Sequence, residues 1–334
     1  MVVAVPLRVE MTILERVRRK AGGKAVEGFF RGVAGLAKVH PQARPARHGV
    51  EVLRDIPYLP SGSPDHLLDV YRPTSAGKKL PALLYIHGGG FHILSKDTHW
   101  VMGIALARAR FVVFTINYRL APQSRFPAAI DDVCEAYRWV VEHAHEYGAD
   151  ASQLVVAGES AGANLTTAVT VAACFERSER YARRVFETGI VPKAVMPACG
   201  ILQVSDAQRF ARRRPDMPKF VGDRIEEVMV AYLGNRDTVP GSRPELDFAD
   251  PLLVFERREE PARPIPPFFV PCGTADPLLD DSRRLASALR SMNVTVDEKY
   301  YPGEVHAFHA FVFRAQARKC WNDSYAFLDR HVPR

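Results

Sequence analysis

The sequence predicts an α/β fold built on a mostly parallel central sheet flanked by helices. Three observations carry that expectation. Short apolar runs of strand length recur along the middle and end of the chain. Longer segments with helical periodicity stand between them. The 334 residues, 47% hydrophobic and 25% charged, suffice for a large buried core. Strand and helix in alternation build a sheet whose strands are covered on both faces, and such strands read as continuous apolar runs rather than as alternating ones.

Taken in order, "EVLRDIPYL" (51–59) and "LLDVYRP" (67–73) alternate and read as an antiparallel lead-in. "PALLYIH" (81–87), "FVVFTI" (111–116), "SQLVVAG" (152–158), "KAVMPAC" (193–199) and "PFFVPCG" (267–273) are the expected buried parallel strands. "PAAIDDVCEAYRWVVEHAHEYG" (127–148) opens on a helix-compatible proline and stops at Gly148. "PLLDDSRRLASALRSM" (277–292) sets Leu278, Leu285, Leu289 and Met292 near one helical face. "VTVDEKYY" (294–301) reads as the last strand, at an edge of the sheet and available for pairing with a second copy.

Two segments break the rhythm. Residues 1–50 carry ten Lys/Arg against three Glu and read as a basic helical region, with a capping box from Thr12 to Glu15. Residues 203–240 are irregular around "FARRRPDMPKF". Both are expected to fold over the sheet as a lid. The resulting organisation is 1–50 as the N-terminal part of a helical cap, 51–202 as the first part of the core, 203–240 as the second part of the cap, and 241–334 as the rest of the core.

The net charge of +7 comes with no nucleic-acid-binding motif, so a solvated basic helix face is the expected reading. The five cysteines, at 134, 174, 199, 272 and 320, form no C-x-x-C pair and read as free thiols of a reducing, cytoplasmic setting. No stretch is long and apolar enough to span a bilayer. "MVVAVPLRVE" has no basic n-region, and no signal peptide is expected. His87, His92 and His99 lack the spacing and the carboxylate of a zinc site, and no dinucleotide fingerprint occurs, so neither metal nor cofactor is expected.

The chemistry begins at Gly158-Glu159-Ser160-Ala161-Gly162. This G-x-S-x-G follows a strand and opens a helix, a turn that lifts a serine hydroxyl clear of the sheet beside free helix N–H groups. A serine needs a base, and His306 follows the last strand, beyond the carboxyl end where α/β sites lie. His309 is a rival, placed in the helical segment after it. Asp276 follows the "PFFVPCG" strand, where it can cap a helix and orient a histidine at once. Asp250 also precedes Pro-Leu but follows no strand, and Asp280 and Asp281 fit a helix's first turn, where its dipole accounts for them. The order Ser160, Asp276, His306 is that of α/β-hydrolases. "HGGG" (87–90) follows the third strand, where Gly88 and Gly89 can aim backbone N–H groups at a developing alkoxide, and the Ala161 N–H completes an oxyanion hole. A histidine base of ordinary acidity puts an acid limb in kcat/KM near pH ~6–7.

Together "HGGGF", "NYRLAPQSRFPAAIDD" (117–132), "GESAG", "DPLLDD" and "HAF" resemble the hormone-sensitive-lipase-like carboxylesterases, bacterial family IV of the α/β-hydrolase superfamily, over roughly residues 50–334. The resemblance implies Ser160 as nucleophile with Asp276 and His306, oxyanion donors at Gly88, Gly89 and Ala161, a helical cap, a cofactor-free reaction on short- to medium-chain acyl esters through an acyl-enzyme, and pairing through the last strand in a homodimer. An amidase or deacetylase would use the same triad. A non-catalytic small-molecule receptor on this fold is the other class, and the presence of His306 argues against it. Two departures stand out: Ile93 and Leu94 where small residues are common, and Glu159 where Asp is common. The bulky Phe91, His92, Ile93 and Leu94, with Phe210, Met217 and Phe220, are expected to wall the acyl pocket.

Overall fold

The computed structural model describes residues 43–333 except 76–78 and 235–243, together with positions 28, 32, 35 and 40. The Thr12–Glu15 capping box, most of residues 1–50 and residues 235–240 therefore lie outside the described residues. One sheet of eight strands organises the rest, in the order β1-β2-β4-β3-β5-β6-β7-β8. Its strands are β1 (Val50–Pro57), β2 (Leu67–Pro73), β3 (Leu80–Ile86), β4 (Val112–Ile116), β5 (Ala149–Glu159), β6 (Ala194–Ala198), β7 (Phe268–Gly273) and β8 (Val296–Tyr301). β2 runs antiparallel to both β1 and β4, and the remaining pairs are parallel. The lead-in, the five buried runs and the edge position of β8 thus follow the sequence expectation.

The central strands are buried along their whole length, as the apolar runs require. In β3, Leu80, Ala82, Leu84 and Ile86 join the larger core, while Leu83 and Tyr85 point into the opposite layer. Period-2 alternation divides the strand between two cores, and burying each such leucine stabilises the fold by about 1.5–3 kcal/mol.

Helices cover both faces: α1 (Trp100–Arg108), α2 (Ala128–His143), α3 (Ala161–Cys174), α4 (Arg180–Glu187), α5 (Arg209–Arg213), α6 (Lys219–Leu233), α7 (Pro251–Glu256), α8 (Leu279–Ser291) and α9 (Ala315–His331). α2 gives way to a 3-10 turn that ends at Gly148 in the left-handed region, as the glycine signalled. α3 is buried at every position, because it packs directly behind β5 and β6. The irregular 203–240 stretch forms α5 and α6, joined by the proline-bearing turn at 214–218.

Candidate active site

Ser160 sits between the end of β5 and the start of α3, with φ 55° and ψ −116°. A non-glycine residue reaches positive φ at a cost of order 1–3 kcal/mol, and it does so where the surroundings over-determine it. Here they do. A Cβ on Gly162 would lie 2.1 Å from the Ile86 carbonyl oxygen, and one on Gly158 would lie 2.6 Å from that of Gly162. Only glycine lets β3, β5 and α3 close around the turn, which explains both glycines of G-x-S-x-G. The Ser160 N–H donates to the Ala198 carbonyl at 2.9 Å, tying the turn to the end of β6.

His306 and Asp276 meet. The imidazole Nδ1 lies 2.8 Å from Asp276 Oδ2, and the carboxylate, which can only accept, fixes the proton on Nδ1. Asp276 is fully buried, whereas a third of the His306 side chain is exposed. Burial opposes the charged imidazole, but the Asp276 carboxylate, and after it the Cys199 sulfur, outweigh it and hold His306 well above the usual histidine range. Asp276 Oδ1 accepts from the Leu278 N–H at 2.8 Å. That bond braces the turn before α8 and is not a helix cap, since α8 starts only at Leu279. Arg214, from the segment between α5 and α6, donates to the Asp276 carbonyl at 3.2 Å.

Cys199 joins this pair: its Sγ, an Asp276 carboxylate oxygen and a His306 ring nitrogen all lie within 4.8 Å of one another. Burial pushes the Cys199 thiol up to about 12, with the neighbouring His306 opposing that rise.

The loop after β3 has an unusual backbone. Gly89, Gly90, Phe91 and Leu94 have φ of 116°, 58°, 63° and 71°. Gly89 is irreplaceable on steric grounds too, since a Cβ there would lie 2.1 Å from the Ile93 carbonyl oxygen. His92 and Ile93 both donate to the Gly89 carbonyl, closing the loop on itself. Among the described residues, no intramolecular hydrogen bond engages the N–H of Gly88, Gly89 or Ala161. His87 donates through Nδ1 to the Gly88 carbonyl at 2.6 Å and stacks on Tyr118 at 4.3 Å, so the flanking histidine braces the glycines. Burial, aided by the neighbouring His99, lowers His87 to about 3, which keeps it neutral.

Ser160, His306, Gly89 and Gly90 line one cavity of about 1420 Å³. Ile93 and Leu94 form part of its wall, and Phe220, Val221, Arg224 and Val228 of α6 face in from above. His40, Ala43 and His48 also reach it, so the end of the N-terminal region borders the same space. Trp100, Ala105, Trp321 and Tyr325 extend it between α1 and α9. The apolar rim includes Phe220 and Phe313, both well exposed.

Several sequence expectations are corrected here. Phe91 does not line the cavity: it is buried and stacks on Tyr232 with ring centroids 3.8 Å apart, because its positive φ turns the side chain back into the core. Phe210 is likewise buried, under the Arg209 guanidinium, and Met217 packs on the core rather than on the cavity. Asp281 is more than a first-turn acid. It is fully buried, pairs with Arg209, and accepts from the Leu202 N–H at 2.8 Å. Asp250 stands apart from the cavity, as expected, and its carboxylate accepts from the Val204 and Ser205 N–H groups and the Ser205 hydroxyl. His309, the rival base, is buried against Glu159. The sequence reading missed Glu159 and His99 as a pair. Sixty residues separate them, and no spacing rule connects them.

The chain matches the family described as alpha/beta hydrolase fold over residues 83–310. Carboxylesterase NlhH of Mycobacterium tuberculosis is 31% identical over 267 residues, covering 79% of this chain and 74% of that protein. Ethyl acetate hydrolase of Pseudomonas putida is 34% identical over 250 residues, covering 73% of this chain and 72% of that one. Among solved structures, a bacterial heroin esterase aligns with a TM-score of 0.74 at 22% identity, covering 94% of this chain and 93% of that one, a likeness of fold. A serine on a strained strand-to-helix turn, in a sheet of this order and with these relatives, places the protein: the chain belongs to the hormone-sensitive-lipase-like carboxylesterases of the α/β-hydrolase superfamily and is a carboxylic ester hydrolase.

Proposed function

We propose that the protein hydrolyses short- to medium-chain acyl esters through a Ser160–His306–Asp276 triad and an acyl-enzyme intermediate. The observation that carries this reading is the 2.8 Å bond from the buried Asp276 to His306, which lines the same cavity as the strained Ser160. Ser160 Oγ attacks the acyl carbonyl while His306 Nε2 takes the hydroxyl proton. The developing oxyanion is received by the N–H groups of Gly88, Gly89 and Ala161. His306 then protonates the departing alkoxide, which leaves as the alcohol. Water, deprotonated by the same imidazole, attacks the acyl-enzyme and releases the acid and Ser160. Asp276 keeps the proton on Nδ1 and stabilises the imidazolium in each half-reaction. Removing a single oxyanion donor typically costs ~3–4 kcal/mol of transition-state stabilisation.

The substrate range rests on two supports. Relatives carry the names ethyl acetate hydrolase and, from Salmonella, acetyl esterase. Ile93 and Leu94 crowd the wall beside the oxyanion loop, while the larger remainder of the cavity accommodates the alcohol portion. The test is kcat/KM across p-nitrophenyl esters from acetate to palmitate, together with mass-spectrometric mapping of an organophosphonate adduct to Ser160. A maximum near four to eight carbons, on the order expected when each fitting methylene gains ~0.8 kcal/mol and an overfilled wall costs ~1–3, supports it. A maximum at palmitate, or an adduct elsewhere, overturns it. Leu94→Gly should move the optimum toward longer chains, and glycine also suits the φ of 71° at that position.

Three features of organisation belong to the same reading. Residues 1–50 and 203–240 form the cap, supported by His40, His48 and the α6 side chains that border the cavity. The exposed edge of β8 pairs two copies in a homodimer, which light scattering at micromolar concentration tests. The protein works in the cytoplasm, in keeping with five buried, unbridged cysteines. Among the described residues no helix is long and apolar enough to cross a membrane.

A further inference from the structure

Behind Ser160 lies a second carboxylate–histidine assembly that the proposed chemistry leaves unused. Glu159 is buried, and its two oxygens each accept from an imidazole: Oε1 from His99 Nε2 and Oε2 from His309 Nε2, both at 2.7 Å. Hydrogen-bond direction defines the charge on His99. Its Nε2 faces a carboxylate, and its Nδ1 faces the Ser95 carbonyl oxygen at 3.0 Å, an atom that can only accept. The Thr98 hydroxyl, 2.9 Å from Nδ1, gives its own proton to that same carbonyl, so toward His99 it accepts as well. Both ring nitrogens therefore carry hydrogen, and His99 is an imidazolium paired with Glu159 in the interior.

The assembly joins the three loops that form the site. Glu159 immediately precedes Ser160. His99 ends the segment that begins with the oxyanion glycines. His309 lies three residues beyond His306, in the 3-10 turn Phe308–Ala310. The oxyanion loop also rests directly on Glu159, since a Cβ on Gly88 would lie 3.1 Å from Glu159 Cγ. The other titratable groups facing the assembly are Tyr85 of β3 against the carboxylate, His87 with its ring 5.5 Å from that of His99, Tyr118 stacked on His87, and Cys199 near Tyr85. Burial holds the two tyrosines and the thiol protonated and His87 neutral, so none of these groups adds charge beside the His99–Glu159 pair. Desolvating an ion pair is unfavourable against apolar packing of equal volume, which makes the pair a poor choice for stability alone.

We propose that Glu159 is a positioning residue: clamped between the charged His99 and His309, it holds the nucleophile turn, the oxyanion loop and the His306 loop in one register. The proposal rests on the serine-esterase reading above.

The experiment uses the full chain, with reactive Ser160 counted by organophosphonate titration so that kcat refers to folded, competent sites. A wild type that neither labels at Ser160 nor hydrolyses p-nitrophenyl butyrate removes the esterase reading itself, before any variant is compared. With an active wild type, Glu159→Gln should lower kcat per titrated site by ~10–100-fold, the scale of a small misplacement of reacting groups, with KM changed less than about three-fold. The Glu159 carboxylate outweighs burial to raise His99, so the charge that its hydrogen bonds define is lost as pH rises through that raised value. Wild-type kcat should therefore fall on an alkaline limb that is absent from His99→Gln. Should Glu159→Gln fail to fold, His309→Gln keeps the ion pair and should still lower kcat at unchanged KM. A kcat per titrated site within about two-fold of wild type in whichever of these two variants folds, or an alkaline limb unchanged in His99→Gln, overturns the proposal.

Discussion

Asp276 and Glu159 are both buried carboxylates that accept from imidazole at 2.7–2.8 Å, yet they lie in different settings. Asp276 holds one histidine, and that histidine reaches the cavity with a third of its side chain exposed. Glu159 holds two, and both are nearly closed off from solvent. The first arrangement fixes one ring nitrogen and leaves the imidazole open to the cavity, so a proton can come and go at the other. The second uses both carboxylate oxygens and, at His99, both ring nitrogens, so no nitrogen of that ring is left for a substrate. In the proposed reading one pair of residue types thus serves proton transfer in one place and loop alignment in another, and the exposure of the imidazole separates the two uses: a third of the His306 side chain is exposed, against a tenth or less for His99 and His309.

The comparison breaks most decisively at the open assembly. Ser160→Ala and His306→Ala should each lower kcat by a factor on the order of 10⁴–10⁶, and the double variant should lose little more, because the members of a triad act as a unit. Losses that multiply in the double variant would mean that the two residues work independently. Asp276→Asn comes next. An amide can present its N–H to the ring and force the proton onto the wrong nitrogen, at about 10⁴-fold in kcat. If that loss does not exceed the loss in Glu159→Gln, the assignment of the two carboxylates is reversed.

Proton traffic sharpens the contrast further. A base must be neutral in the free enzyme, and Asp276 holds His306 well above the ordinary range. The acid limb of kcat/KM should therefore lie above the pH ~6–7 that an unperturbed imidazole implies, and each pH unit below it costs about ten-fold. In Asp276→Asn the limb should move down. A flat profile between pH 5 and 8 in a stable enzyme removes His306 as base. The smallest catalytic effect belongs to Asp250, a third buried carboxylate that holds backbone rather than histidine. Asp250→Asn should leave kcat per titrated site within about two-fold. It should lower stability by ~1 kcal/mol, seen as a drop in Tm, because a neutral amide oxygen replaces the carboxylate toward the Val204 and Ser205 N–H groups while the amide N–H turns to the Ser205 hydroxyl.

Much of this is legible in the sequence. The buried strands declared themselves as apolar runs, Gly148 marked the end of a helix, and Gly158 and Gly162 marked a turn too tight for side chains. The candidate triad followed from strand ends and chain order. What escaped were features set by long-range contact. Phe91 belonged by position to the cavity wall, but its positive φ sends the ring onto Tyr232, 141 residues away in sequence. Asp281 fitted a helix's first turn, and only packing revealed Arg209 and the Leu202 N–H against it.

The sequence by itself determined the α/β layering, the nucleophile turn and the glycine loop, because hydrophobic period, backbone sterics and turn chemistry are local properties written in neighbouring residues. Only the tertiary structure decided that Asp276 reaches His306, that Glu159 is shared by His99 and His309, and which bulky side chains face the cavity. Those outcomes depend on where distant strand ends converge, on burial, and on which groups remain to satisfy a buried charge. No spacing along one chain encodes them.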